Sequence, residues 1–188
     1  MYTLANPKPA AITSPSTPHD TLIEAVATSF ALDVPKLALL VLPQQYSVAK
    51  TVEELKALGA DARAMGLDTI ALQTDRSTTP TPADQIPISD ANITAEATED
   101  EPILLVSSTF NVRGLDFPTL THVFILGPTC IETKEAYDHI AGRVGRFGRS
   151  GKVVTFVKGF GEHDEEKVMR GKFDRWKITH TPFSALEE

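Results

Sequence analysis

The sequence contains a single cysteine, Cys130, among 188 residues. An internal disulfide is therefore excluded, as is a zinc site built from clustered thiolates, and the usage fits a reducing compartment. The five histidines, His19, His122, His139, His163 and His180, show no HExxH or similar pairing, so no metal is assigned. No apolar run approaches the roughly 20 residues of a membrane-spanning helix, so no membrane partner is expected. Basic charge is also scarce: 18 Lys and Arg stand against 25 Asp and Glu, a formal net charge of −7. That balance argues against a protein that coats nucleic acid by bulk charge. The first apolar run, "LALLVLPQQYSV", is followed by no glycine-rich loop, which counts against an ordinary mononucleotide-binding domain.

The charge that is present is unevenly placed. Residues 82 to 101 hold Asp84, Asp90, Glu96, Glu99, Asp100 and Glu101 with no Lys or Arg, and so carry −6 of the −7. The remainder is nearly neutral, and residues 143 to 152 are locally basic. At this length, with 41% hydrophobic and 23% charged residues, one soluble domain with its own core is expected. Residues 1–18, rich in Pro, Ala, Ser and Thr, read as a flexible arm or linker, and their lack of arginine weakens a transit-peptide reading. Residues 19–188 form the domain, with an acidic loop at about 75–101.

Strands and helices alternate. "DTLIEAVATSFAL" has a Thr21-to-Glu24 capping box and Leu22, Ile23, Val26, Phe30 and Leu32 at helical spacing. "KLALLVLP" reads as a strand buried on both faces. "SVAKTVEELKALGADARAM" sets Val48, Val52, Leu55, Leu58, Ala62 and Met65 on one helical face, with Gly59 as a candidate terminator. "DTIALQT", "PILLVSS", "THVFILG" and "KVVTFV" read as strands. "TKEAYDHIAGRVGRFG" is a helix running into a glycine-rich turn, and "HDEEKVMRGKFDRW" a last amphipathic helix with Val168, Phe173 and Trp176 inward. The pattern predicts an α/β fold, a three-layer sandwich around a mostly parallel central sheet. In such sheets ligands sit beyond the carboxyl ends of the strands.

Two segments at such ends carry unusual chemistry. In "VSSTFNVRGLDFP", Ser107, Ser108 and Thr109 offer hydroxyls that suit a phosphate oxygen or a turn cap. Gly114 permits close backbone approach. Asp116 can accept from a sugar hydroxyl or pair locally with Arg113. In "DHIAGRVGRFGRSGK", Arg143, Arg146 and Arg149 recur every three residues among glycines. On a helix Arg143 and Arg146 share a face, His139 lies one turn earlier, and Gly142 and Gly145 leave that face open to a bulky anion. Planar guanidinium forks suit phosphoryl groups. The competing reading is a solvated basic helix end favoured by the macrodipole.

Taken in order, "SSTFNVRGLDFP", a strand, "YDHIAGRVGRFGRSG" and "VVTFV" resemble the second, C-terminal RecA-like domain of DEAD-box RNA helicases, a family of superfamily 2. The segments correspond to motif V (T-D-x-x-x-R-G-L-D) and motif VI (H-R-x-G-R-x-G-R). The resemblance implies that Arg143 and Arg146 reach the ATP γ-phosphate across an interdomain cleft, one as arginine finger. It places Gly114 and Asp116 at the nucleotide and Ser108, Thr109 and Arg113 at RNA, and has His139 couple the two sites. It further implies ATP with Mg2+ held mainly by an N-terminal RecA-like domain of the same protein. RNA and that domain are the implied partners, with ribonucleoprotein or ribosome-assembly factors as further candidates. An intracellular location follows, with cytoplasm, mitochondrion and chloroplast left open.

Departures from the pattern qualify these expectations. Ile140 stands where the family has arginine and Thr109 where it has aspartate, and no Q-x-x-R occurs between Gln73 and Glu101. An acidic stretch there weakens RNA contact more than ATP contact. The chain has neither G-x-x-x-x-G-K-[ST] nor D-E-A-D, so alone it is not expected to turn over ATP. Two readings result: the C-terminal lobe of a helicase, or a non-catalytic RecA-like module for ribonucleoprotein assembly.

Overall fold

A computed structural model of the chain describes residues 2–3, 18–65, 101–112, 117, 119–145, 150–159 and 164–181. Its elements are β1 (Tyr2–Thr3), α1 (Pro18–Asp33), β2 (Leu37–Leu42), α2 (Val48–Ala57), β3 (Ala62–Ala64), β4 (Ile103–Ser108), β5 (His122–Leu126), α3 (Lys134–Ala141), β6 (Lys152–Val157) and α4 (Glu165–Trp176). The strands form one sheet in the order β1-β6-β5-β2-β4-β3, and every pairing is parallel. The expected α/β sandwich is present.

Its cause is the apolar content of β2. All six residues Leu37 to Leu42 are fully buried, so the strand needs a partner along each edge and a helix over each face. Edges are satisfied by β4 and β5, with Leu39 in register with Leu105 and Val123. On one face Ala38, Leu40 and Leu42 pack with Ile23, Val26 and Phe30 of α1 and Val52 and Leu55 of α2. On the other, Leu37, Leu39 and Val41 join Ile140 of α3 and Met169 and Phe173 of α4.

Several boundaries differ from the sequence reading. Helix α1 already runs at Pro18, so Thr21 lies inside it and does not cap it. Helix α2 starts on Ser47, whose hydroxyl accepts from the Lys50 backbone N–H, and stops before Gly59, which takes φ +90°. Ala62 therefore leaves the helix and enters β3, paired with Leu104, and Met65 lies just beyond that strand. In α4, Asp164 caps the helix by accepting from the Lys167 N–H. That phase turns Met169 and Phe173 inward and leaves Val168 half exposed, contrary to its expected placement, while Trp176 is partly buried. Tyr2–Thr3 pair with Phe156 and Val157 of β6, so the segment read as a flexible arm touches the sheet there. The strand expected at "DTIALQT" and most of the acidic loop lie outside the described residues.

At the amino-terminal ends of the strands a charged cluster ties three elements together. Lys152, opening β6, donates to both carboxylate oxygens of Asp33 at 2.8 and 2.6 Å, joining the end of α1 to the start of β6. His122, opening β5, has its Nε2 at 3.8 Å from the same carboxylate. Burial lowers the His122 pKa from 6.5; the Asp33 charge opposes this and the Lys152 charge adds to it. Below pH 6.5 the unfolded chain therefore binds more protons at this ring than the folded one. The contribution of the neutral ring is complete above that pH and declines as the solution is acidified through it. Urea unfolding of wild type and His122→Gln between pH 5 and 7.5 should show a steeper loss of stability toward acid in the wild type. Parallel curves would contradict the assignment.

Candidate nucleotide and nucleic-acid site

The carboxyl ends of β2, β4 and β5 open into a cleft of about 450 Å³. Its position follows from topology: the connection from β2 runs toward β3 on one side, and that from β5 toward β6 on the other, so a crevice is left between them. Gln44 after β2, Thr109 directly after β4, and Thr129 and Cys130 after β5 form its floor. Helix α3 forms a wall, presenting Glu135 and His139 one turn apart, and Arg143 lines the cleft just beyond its end.

Helix α3 is held at both ends and from behind. Thr133 is its N-cap, accepting from the Ala136 N–H at 3.2 Å. Behind it, Tyr137 meets Phe173 edge to face at 5.4 Å and lies 6.4 Å from Trp176. Aromatic pairs of this kind contribute about 0.5–1.5 kcal/mol beyond area burial. Lys134 and Asp138 pair at 2.6 Å and are both well exposed, and neither lines the cleft. The turn between β5 and α3 is fixed by Lys172 of α4, whose ammonium donates to the carbonyls of Pro128 and Ile131 at 3.2 and 3.0 Å.

The helix ends earlier than the sequence reading placed it. Gly142 is the C-cap, and the Arg143 and Val144 N–H groups donate three residues back, to Ile140 and Ala141. Gly145 takes φ +74°, which a β-carbon disfavours. Arg143 therefore projects from a tightened turn rather than from the helix, and it is partly buried with its Nε enclosed. Gly151 explains another glycine of the segment. A β-carbon there would stand 2.5 Å from Val144 Cβ and 2.7 Å from the Gly145 nitrogen, so the strand entering β6 lies directly against the turn.

Of the expected site residues, Thr109, His139 and Arg143 meet in the cleft. Ser108 ends β4, is 6% exposed, and its backbone carbonyl accepts from the Asn111 and Val112 N–H groups. Arg113, Gly114, Asp116, Arg146 and Arg149 lie outside the described residues. His139 is exposed, and its Nδ1 is 2.8 Å from the Glu135 carbonyl. A carbonyl only accepts, so Nδ1 carries the proton and Nε2 is the atom presented outward. Ile140, where arginine was expected, is 5% exposed and belongs to the core behind the cleft. Cys130 is buried, its thiol donating to the Leu126 carbonyl at 3.1 Å, and burial pushes its pKa up to about 12. It stays a thiol at neutral pH and is no nucleophile.

The fold and cleft define a parallel α/β domain with an open crevice at the carboxyl ends of its strands. Residues 81–148 match the helicase conserved C-terminal domain, a stretch that takes in most of the acidic segment. The mitochondrial translation ATP-dependent RNA helicase mrh5 of Schizosaccharomyces pombe is 40% identical over 55 residues, 29% of this chain and 9% of that protein. The ATP-dependent RNA helicase dbp4 of Emericella nidulans is 32% identical over 88 residues, 47% of this chain and 10% of its own length. The matched part is thus about a tenth of either relative. S. cerevisiae Dbp5 bound to RNA and ADP BeF3 superposes with a TM-score of 0.60 over 86% of this chain and 38% of that one, at 16% identity, a likeness of fold. Over residues 81–148 the chain is thus similar to the C-terminal domain of helicases, and its fold is like that of solved DEAD-box proteins.

Two outcomes test the packing around the cleft. Gly151→Ala should cost about 1–3 kcal/mol in chemical denaturation, the range for overpacking, because backbone and not only a side chain stands in the way; unchanged stability would refute the close approach. Native protein at pH 8 should resist a thiol reagent at Cys130 and react at once in urea. Fast labelling of the folded chain would show the thiol to be accessible.

Proposed function

We propose that residues 19–188 act as the second lobe of an ATP-dependent RNA helicase, contributing charge to a nucleotide and contacts to RNA bound against a preceding lobe. The observation that carries this reading is the convergence of Arg143, His139 and Thr109 on one cleft at the carboxyl ends of the strands. The donors there fit one side of a triphosphate: a guanidinium and several hydroxyls, with no glycine-rich cradle. ATP with its Mg2+ is therefore assigned mainly to the other lobe, which would bring a phosphate loop and the metal-binding carboxylates. Bound ATP supplies the free energy of phosphoryl transfer.

Within this chain, Arg143 is held by the turn at Gly142 and Gly145 so that its fork meets the transferring phosphoryl group, where negative charge accumulates. Arg146 is assigned the companion role, Gly114 and Asp116 the ribose side, and Ser108, Thr109 and Arg113 the RNA phosphates. His139, fixed through Nδ1, offers Nε2 between the two. Closure of the lobes over RNA and their reopening after hydrolysis would be a hinge cycle. We place the protein inside the cell, where RNA and ATP are found.

A second reading, an assembly module without catalysis, is favoured by Ile140. An isoleucine buried at 5% exposure supplies packing where a charged group would reach outward. In the full-length protein, Arg143→Ala should lower RNA-stimulated ATP turnover by about 10³-fold or more, as loss of an arginine finger does, with the unfolding midpoint unchanged. Normal turnover in the folded variant would refute the helicase assignment of Arg143. A wild type with no RNA-stimulated turnover that still enters ribonucleoprotein particles would establish the assembly reading.

A further inference from the structure

Two residues beyond β4, Phe110 is 68% exposed, the most exposed large apolar side chain among the described residues. It comes after Thr109 and the six buried residues of β4, and lines the cleft that holds Thr109, His139 and Arg143. Its neighbours decide what it suits. Of the other apolar residues of that cleft, Val112, Cys130 and Ile140 are buried, at 2%, 4% and 5% exposure, and Ala136 adds only a partly exposed methyl group. Among the described residues Phe110 therefore belongs to no apolar patch of the size that protein partners cover. A lone aromatic face among hydroxyl, imidazole and guanidinium donors complements a nucleobase, which is apolar on its faces and polar around its edge.

We propose that Phe110 is a stacking platform for one base of the bound RNA, making this lobe sensitive to bases and not only to the phosphate backbone. The proposal rests on the helicase reading above and deepens it by naming a specificity residue. The ring takes one face of an unstacked base at the strand end, while the Thr109 hydroxyl beside it reaches the adjoining phosphate. Stacking of this kind is worth roughly 1–3 kcal/mol per base, a factor of about 5 to 150 in affinity.

The test uses the full-length protein and a single-stranded RNA dodecamer in which each position in turn is made abasic. Wild type should lose about tenfold in affinity at one abasic position. Phe110→Ala should lose a similar factor on intact RNA and show no further loss at that position, whereas Phe110→Trp should bind as wild type. Wild-type affinity indifferent to every abasic position, or Phe110→Ala losing the same factor on all abasic RNAs as on intact RNA, overturns the stacking. The same is true if Phe110→Ala leaves RNA binding intact but weakens ATP turnover, which would put the ring against the other lobe. No RNA binding by the wild type would overturn the helicase reading as well. Arg143→Ala losing turnover while Phe110→Ala binds normally would remove this inference alone.

Discussion

The burial of β2 on all sides governs the rest of the molecule. Six fully desolvated residues in a row leave no polar face to show to water, and their backbone groups must be paired on both edges. Helices then have to cover both faces, α1 and α2 on one and α3 and α4 on the other. Only the two ends of the sheet remain for chemistry. At the amino-terminal end the Asp33 and Lys152 charges satisfy each other beside an open hollow of about 400 Å³. At the carboxyl end the loops part, and the cleft lies there.

The geometry of that cleft depends on rigid supports more than on the residues that line it. Arg143 points as it does because Gly145 adopts a left-handed conformation and Gly151 admits the strand beside the turn. Helix α3 keeps its angle because Tyr137 is wedged against Phe173, and the β5 to α3 turn keeps its place because Lys172 binds its carbonyls. A site placed on a loop gains precision from such contacts.

How much of this was legible in the sequence varies with the kind of signal. Strands β2, β4, β5 and β6 are apolar runs whose burial leaves little choice, and each was readable. Strand β3, Ala62–Ala64, was not: Ala-Arg-Ala has no strand signature, and it extends the period of α2 across Gly59. The positive φ at that glycine is what breaks the helix. Val168 was misplaced by about 100°, one residue out of phase, because the Asp164 cap fixes the rotation of α4. Thr109, His139 and Arg143 were readable as local spacings. Gln44, Phe110 and Lys172 were not: the order of the strands brings Gln44 and Phe110 to the cleft, and Lys172 acts beside it on the Pro128 and Ile131 carbonyls. The end of α3 lay between these cases: its glycines were conspicuous, but they read as an open helical face when they form a turn.

The acidic residues of the cleft bear on how the lobe would use its arginine. Glu132 and Glu135 line the same space as Arg143, so the site offers a triphosphate repulsion as well as attraction. Tight binding of ATP by this lobe alone would need a surplus of positive charge or a cradle of backbone N–H groups, and no glycine is among the described residues that line the cleft. A guanidinium set among carboxylates, as Arg143 is among the described residues, would be better suited to act late. It contributes little to holding the nucleotide and more once a partner lobe has fixed the phosphates and their charge shifts outward during transfer. Binding that strengthens only at that stage lowers the barrier, whereas equal attraction throughout would merely hold substrate and product. If the proposed helicase role holds, the acidic surroundings would help release, the lobe engaging while chemistry is under way and letting go when it is finished.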